Sequence, residues 1–141
     1  MKLKKSIGAV LATLAVSSTG LIALASIASA GVENCQLGAA CLWSDYDFNG
    51  FKAWNEDPES QVHPSIDNKS KSAAANGASC SATYFYDFYR GRTGSYFILN
   101  SKTRIGTNFR DPDLSNGAGI GKYRYQNWEN RVSNITFSDC R

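Results

Sequence analysis

This sequence predicts an all-β domain, a small sandwich built from two similar halves and stabilised by two disulfides. Three observations carry that prediction. Short runs of aromatic and β-branched residues alternate with turn signals rich in Gly, Asn, Asp and Pro, and nothing beyond residue 30 keeps a helical period. An aromatic–glycine spacing occurs twice, as Trp43-x4-Phe48-x-Gly50 and as Tyr84-x4-Tyr89-x-Gly91. Four cysteines, an even number, follow an N-terminal stretch with the character of an export signal.

That stretch begins Met1-Lys2-Leu3-Lys4-Lys5, continues without charge from Ser6 and ends Ala28-Ser29-Ala30. A basic start, an apolar middle and a small-x-small end describe a secretory signal peptide over residues 1–30, leaving a domain over 31–141. A membrane anchor is the rival for an uncharged run of this length, but Ser17, Ser18, Thr19 and Gly20 interrupt it. No twin arginine precedes it, which points to the general secretion route and an extracellular protein.

Charge follows from the same division. The chain carries +3, and Lys2, Lys4 and Lys5 supply all of it. A neutral secreted domain gives no electrostatic reason to expect nucleic acid or an anionic membrane as partner. Arg90, Arg92 and Arg104 read as solvated surface, and a monomer is expected.

Cys35, Cys41, Cys80 and Cys140 allow three disulfide pairings. Cys35–Cys41 with Cys80–Cys140 is the favoured one, because it closes a small loop before the first strand and ties the second half to the chain end. A zinc site is the rival reading. No Cys-x-x-Cys is present, and the single histidine, His63, stands before Pro64 in a polar loop.

Strands are expected at Ala40–Ser44, Phe51–Trp54, Ser72–Ala75, Cys80–Tyr86, Ser95–Leu99 and Val132–Phe137. Asp45–Gly50 and Asp87–Gly94 are the turns that follow the two aromatic strands. Asn76-Gly77 carries a hairpin signal. The segments 55–71 and 100–122 are long, polar and punctuated by Pro58, Pro64 and Pro112, so both read as surface loops, with a short helical turn over 111–114. Tyr123, Tyr125 and Trp128 return bulky groups toward the core. Trp43, Phe48, Tyr89 and Phe97 are expected inside it.

The repeated spacing has a physical logic. Two aromatics bracket a tight turn and can stack across it, while the glycine takes a positive φ that other residues resist. The pattern resembles the Greek-key signature of the βγ-crystallin fold. That resemblance implies four strands per motif and a later serine packed on each hairpin, for which Ser72 and Ser133 are the candidates. The opening Cys35-Gln36-Leu37-Gly38-Ala39-Ala40-Cys41-Leu42-Trp43, followed by Phe48-Asn49-Gly50, resembles the secreted peptidase inhibitor family I36, which includes a metalloproteinase inhibitor of Streptomyces. Gln36 stands where that family usually has proline. The segment Asn127-Trp128-Glu129-Asn130-Arg131-Val132-Ser133-Asn134 is similar to the family's Asn-Asp-Arg-x-Ser segment.

The resemblance implies an inhibitor rather than an enzyme, with an extracellular protease as partner. The long segments 55–71 and 100–122 are then the candidates for the presented loop. Relatives of the fold also bind calcium, through paired Asn/Asp-Asn/Asp-x-x-Ser/Thr-Ser segments. Asp67–Ser72 matches except at Lys71, and Glu129–Asn134 departs at its first and last positions. A lysine among ligands opposes a cation, so no metal or other cofactor is expected. Catalytic motifs are absent from the sequence, and Asp45, Asp47 and Asp87 read as turn residues rather than a carboxylate pair. A crystallin-like toxin, antifungal or wall-glycan-binding module is the alternative.

Overall fold

A computed structural model describes residues 31–56, 60–87 and 93–141. The predicted signal segment, Pro58 and the middle of the Asp87–Gly94 turn, Phe88 to Arg92 with Tyr89, Arg90 and Gly91, lie outside the described residues. The described residues form eight strands: β1 (Ala39–Trp43), β2 (Phe51–Asn55), β3 (Ser60–Gln61), β4 (Ser72–Asn76), β5 (Cys80–Tyr86), β6 (Tyr96–Asn100), β7 (Arg110–Asp111) and β8 (Asn134–Cys140). They form two antiparallel four-stranded sheets, ordered β2-β1-β4-β7 and β3-β8-β5-β6.

Each half of the chain supplies four strands, and the third strand of each half crosses to the other half's sheet. Thus β3 pairs with β8, and β7 pairs with β4. This exchange ties the halves into one βγ-crystallin-like double Greek key. The long segments 55–71 and 100–122 are therefore not plain loops. Each contains a two-residue strand, too short for any periodic pattern to reveal.

Asn76-Gly77 does not make a hairpin. β4 already has β1 on one edge and β7 on the other, so β5 must leave for the opposite sheet. The turn is instead clamped by Glu56, whose carboxylate accepts hydrogen bonds from the backbone N–H groups of Ala78, Ser79 and Cys80.

The small residues of β4 have a packing reason. Ser72, Ala73, Ala74, Ala75 and Asn76 are all buried. Ala73 and Ala75 face the main core with Leu42, Phe85, Phe97, Leu99, Leu114, Trp128, Ile135 and Phe137. Ala74 faces a second cluster with Val32, Cys35, Ala39, Cys41, Trp43 and Phe48. A strand enclosed on both faces has room for little else.

Phe97 is the hinge of the main core: its ring stacks on Phe85 at 4.8 Å and meets Trp128 edge-on at 5.0 Å. Each such fully buried aromatic contributes roughly 1.5–3 kcal/mol over an exposed position. Trp128 also donates from Nε1 to the Tyr123 carbonyl at 3.0 Å. Tyr125, expected to turn inward, is instead 79% exposed, with the Arg124 guanidinium 4.4 Å from its ring centroid.

The disulfides are Cys35–Cys41 and Cys80–Cys140, closing sequence separations of 6 and 60.

Candidate functional site

The first hairpin is built from its own aromatics and one serine. Trp43 is buried and meets Phe48 edge-on at 5.1 Å. Asp47 and Phe48 hold φ of 53° and 63°, and Gly50 holds 68°. A Cβ on Gly50 would meet the Ser44 hydroxyl, which can rotate away, so it is the positive φ that calls for glycine there. Ser72 closes the turn: its Oγ donates to the Asp45 carbonyl at 2.7 Å and accepts from the Phe48 N–H at 3.1 Å. Asp45 and Asp47 are exposed turn residues here, and Asp47 uses its backbone N–H on the Pro112 carbonyl.

The second half is related to the first by pairing, and the correspondence differs from the sequence spacing. Trp43 lies opposite Phe51 and Ser72, whereas Tyr86 lies opposite Tyr96 and Asn134. Tyr86, rather than Tyr84, therefore stands where Trp43 stands, and Asn134, rather than Ser133, stands where Ser72 stands. Tyr84 instead joins a ring cluster with Tyr86 and Tyr96. Spacing misleads here because the connections differ in length, with seven residues between the paired Trp43 and Phe51 and nine between the paired Tyr86 and Tyr96.

Ser133 has another role. It corresponds to Lys71, and the two face opposite carboxylates across the junction between halves. Ser133 Oγ donates to Asp67 at 2.6 Å, while the Lys71 ammonium lies 3.9 Å from Glu129. The backbone is equally symmetric: Asn68 and Asn130 hold φ of 53° and 57°, and their N–H groups donate to the carbonyls of Val132 and Ser70. Tyr46 completes the Lys71 side. Its hydroxyl donates to Glu129 at 2.8 Å, its ring centroid is 5.1 Å from the ammonium, and the hydrogen bond to Glu129 raises its pKa.

These residues do not fit calcium. Lys71 supplies the positive charge beside Glu129, and the Asp67–Ser133 pair offers one carboxylate and one hydroxyl to an ion that takes about six to eight oxygens. Glu56, Cys80 and Cys140 also converge, but both sulfurs are committed to the disulfide.

The two candidate presenting loops differ in kind. In 55–71, Val62 and Ile66 are buried, and His63 caps its own turn by accepting from the Ser65 N–H at 3.2 Å. In 100–122, residues 103–108 are exposed throughout, yet closely braced. Asn100 holds the far end of the loop, with its N–H on the Asn108 carbonyl and its Nδ2 on the Thr107 carbonyl. Ser101 Oγ donates to the Gly77 carbonyl, and Thr103 donates twice to Asn76 Oδ1. Farther on, Asp113 caps the turn Leu114–Asn116, and the Ser115 hydroxyl bond holds its pKa low.

A match to the peptidase inhibitor family I36 spans residues 28–98. The chain belongs to that family.

The matched segment takes in the Cys35–Cys41 loop, the Trp43–Gly50 hairpin, Ser72 and β5, and it ends within β6. Family I36 is one of inhibitors, not enzymes, and it implies a protease as partner. Two solved structures are similar to this I36 protein. One is a beta gamma crystallin from Ciona intestinalis, 14% identical, covering 72% of this chain and all of that one, with a TM-score of 0.48. The other, described under the evolution of the eye lens beta-gamma-crystallin domain fold, is 15% identical, covers 77% of this chain and 93% of that one, and has a TM-score of 0.49. No curated protein matches the chain.

Sequence reasoning missed Asn76, which is buried and bonded through both side-chain ends. Its only local signal was a turn dipeptide, and its partners come from residues far away in the chain. Arg104, grouped with a solvated patch, folds back onto Ser81 Oγ at 3.1 Å.

Proposed function

We propose that this I36 protein is a secreted inhibitor of an extracellular peptidase, a metalloprotease by likeness to its family, acting by loop presentation from a rigid β-scaffold. Residues 1–30 serve as the export signal and 31–141 as the inhibitory domain. The observation that carries this reading is the family match over 28–98 on a domain whose exposed loop is already braced. A loop held in one conformation loses little entropy on entering a cleft, which favours tight binding. Two disulfides suit an oxidising extracellular setting, where reduction does not undo them.

The test is a panel of secreted metalloproteases and serine proteases with the purified protein at stoichiometric amounts. Progressive loss of activity in at least one class is expected. Full activity across the panel would remove the inhibitor reading.

A glycan-binding role draws on the rings of Tyr84, Tyr86, Tyr96 and Tyr123, which touch in series. Those rings tilt against one another at 50–80° apart from the Tyr84–Tyr86 pair, so they make no flat stacking platform. Pull-down on cell-wall polysaccharide separates this reading from inhibition.

A further inference from the structure

Leu37 and Ile105 are the exposed large aliphatic side chains among the described residues, at 59% and 49%. The other exposed large hydrophobics are tyrosines already engaged with charged neighbours: Tyr46 lies beside Lys71 and Glu129, and Tyr125 lies beneath Arg124. Leu37 and Ile105 stand apart from these as exposed aliphatic groups.

Both stand on turns anchored to one buried residue. Asn76 donates from Nδ2 to the Cys35 carbonyl at 3.1 Å and accepts the Gly38 N–H on its own carbonyl at 2.7 Å, which holds the turn carrying Leu37. Its Oδ1 accepts from the Thr103 N–H and hydroxyl at 3.0 and 2.7 Å, which holds the turn carrying Ile105. An ion pair between Lys102 and Glu33 joins the same two segments a second time. The Cys35–Cys41 disulfide stiffens the first turn, and Asn100 and Ser101 stiffen the second. In β1 the order of residues puts this surface at the Ala39 end, away from the Trp43 hairpin.

We infer that this end of the sandwich is the protease-facing surface, with Leu37 and Ile105 as paired apolar anchors for an enzyme whose substrate groove accepts aliphatic side chains. The inference rests on the inhibitor reading above. Its chemistry is that of a preformed interface: apolar groups exposed at rest, backbone polar groups nearby already bonded, and turns held by hydrogen bonds and a disulfide. Arg104, between Thr103 and Ile105, is drawn back to Ser81 and the Ala78 carbonyl, so the aliphatic side chain leads and the charge does not. Asn76 acts as a positioning residue that sets the two turns relative to each other.

The experiment measures inhibition constants of the purified protein, Leu37→Asp, Ile105→Asp and the double variant against the protease panel. Asn49→Asp, in the hairpin at the other end of β1, is the control. Each anchor substitution is expected to weaken inhibition at least about tenfold, with the melting temperature unchanged because both side chains are on the surface. Inhibition by the parent that the anchor variants retain would overturn this assignment and leave the inhibitor reading standing. Weakening by the control equal to that of the anchors would also overturn it. A parent that inhibits nothing in the panel overturns both.

Discussion

The Lys71 ammonium lies 3.9 Å from the Glu129 carboxylate, at the position from which Ser133 reaches Asp67 in the other half. One junction thus carries a charge pair and its counterpart a hydroxyl–carboxylate bond. The protein needs no external cation at the first, because lysine provides the charge. Millimolar calcium is accordingly expected to leave the melting temperature within about 1 °C, whereas a site filled at a hundred times its Kd would add about 2.7 kcal/mol. Differential scanning calorimetry with calcium and with chelator decides this.

Ser72→Ala removes a donor to Asp45 and an acceptor for the Phe48 N–H in a buried setting. A buried N–H left without a partner costs about 1–3 kcal/mol. Thermal unfolding should shift down by roughly 4–8 °C for each kcal/mol in a domain of this size. A variant that melts with the parent would show that the hairpin stands without its serine.

The two disulfides should differ in weight. On the chain-entropy account, removing Cys80–Cys140 by paired serine substitutions costs about 4 kcal/mol and removing Cys35–Cys41 about 2, because the first closes the longer loop. Denaturant unfolding of the two double variants measures the difference. The shorter bridge also stiffens the Leu37 turn, so its loss should weaken inhibition out of proportion to its effect on stability.

Burial raises the pKa of Asp111, which accepts backbone hydrogen bonds from Gly119 and Asp113 while the Asp113 charge lies nearby. With the folded value above the unfolded one, the folded state binds the proton more tightly. The contribution is complete below the unfolded value and is lost as pH rises through the folded one. Asp111→Asn should therefore gain on the parent in melting temperature as pH rises from about 4 to about 7. A difference between the two that stays constant across that range would contradict the assignment.

Part of the candidate site was legible in the sequence. The first hairpin was readable because its members lie within a few residues of one another, and the required glycine and the aromatics on either side leave a local pattern. Ser72 was found through the family likeness. Its equivalent in the second half is Asn134 rather than Ser133, because the two hairpin connections differ in length and spacing does not report pairing. Asn76 was hidden, since nothing in a turn dipeptide says that the side chain will be buried between Cys35 and Thr103.

The all-β class, the cysteine framework and the aromatic–glycine hairpin follow from the sequence by itself, because β-propensity, turn chemistry and an even cysteine count act over short stretches. Only the tertiary structure decided that β3 and β7 change sheets, that Lys71 meets Glu129, and that Leu37 and Ile105 share an anchor. These relationships join residues distant along the chain. They exist only once packing has brought the halves together, and a two-residue strand or a single buried amide has no periodicity by which to announce itself.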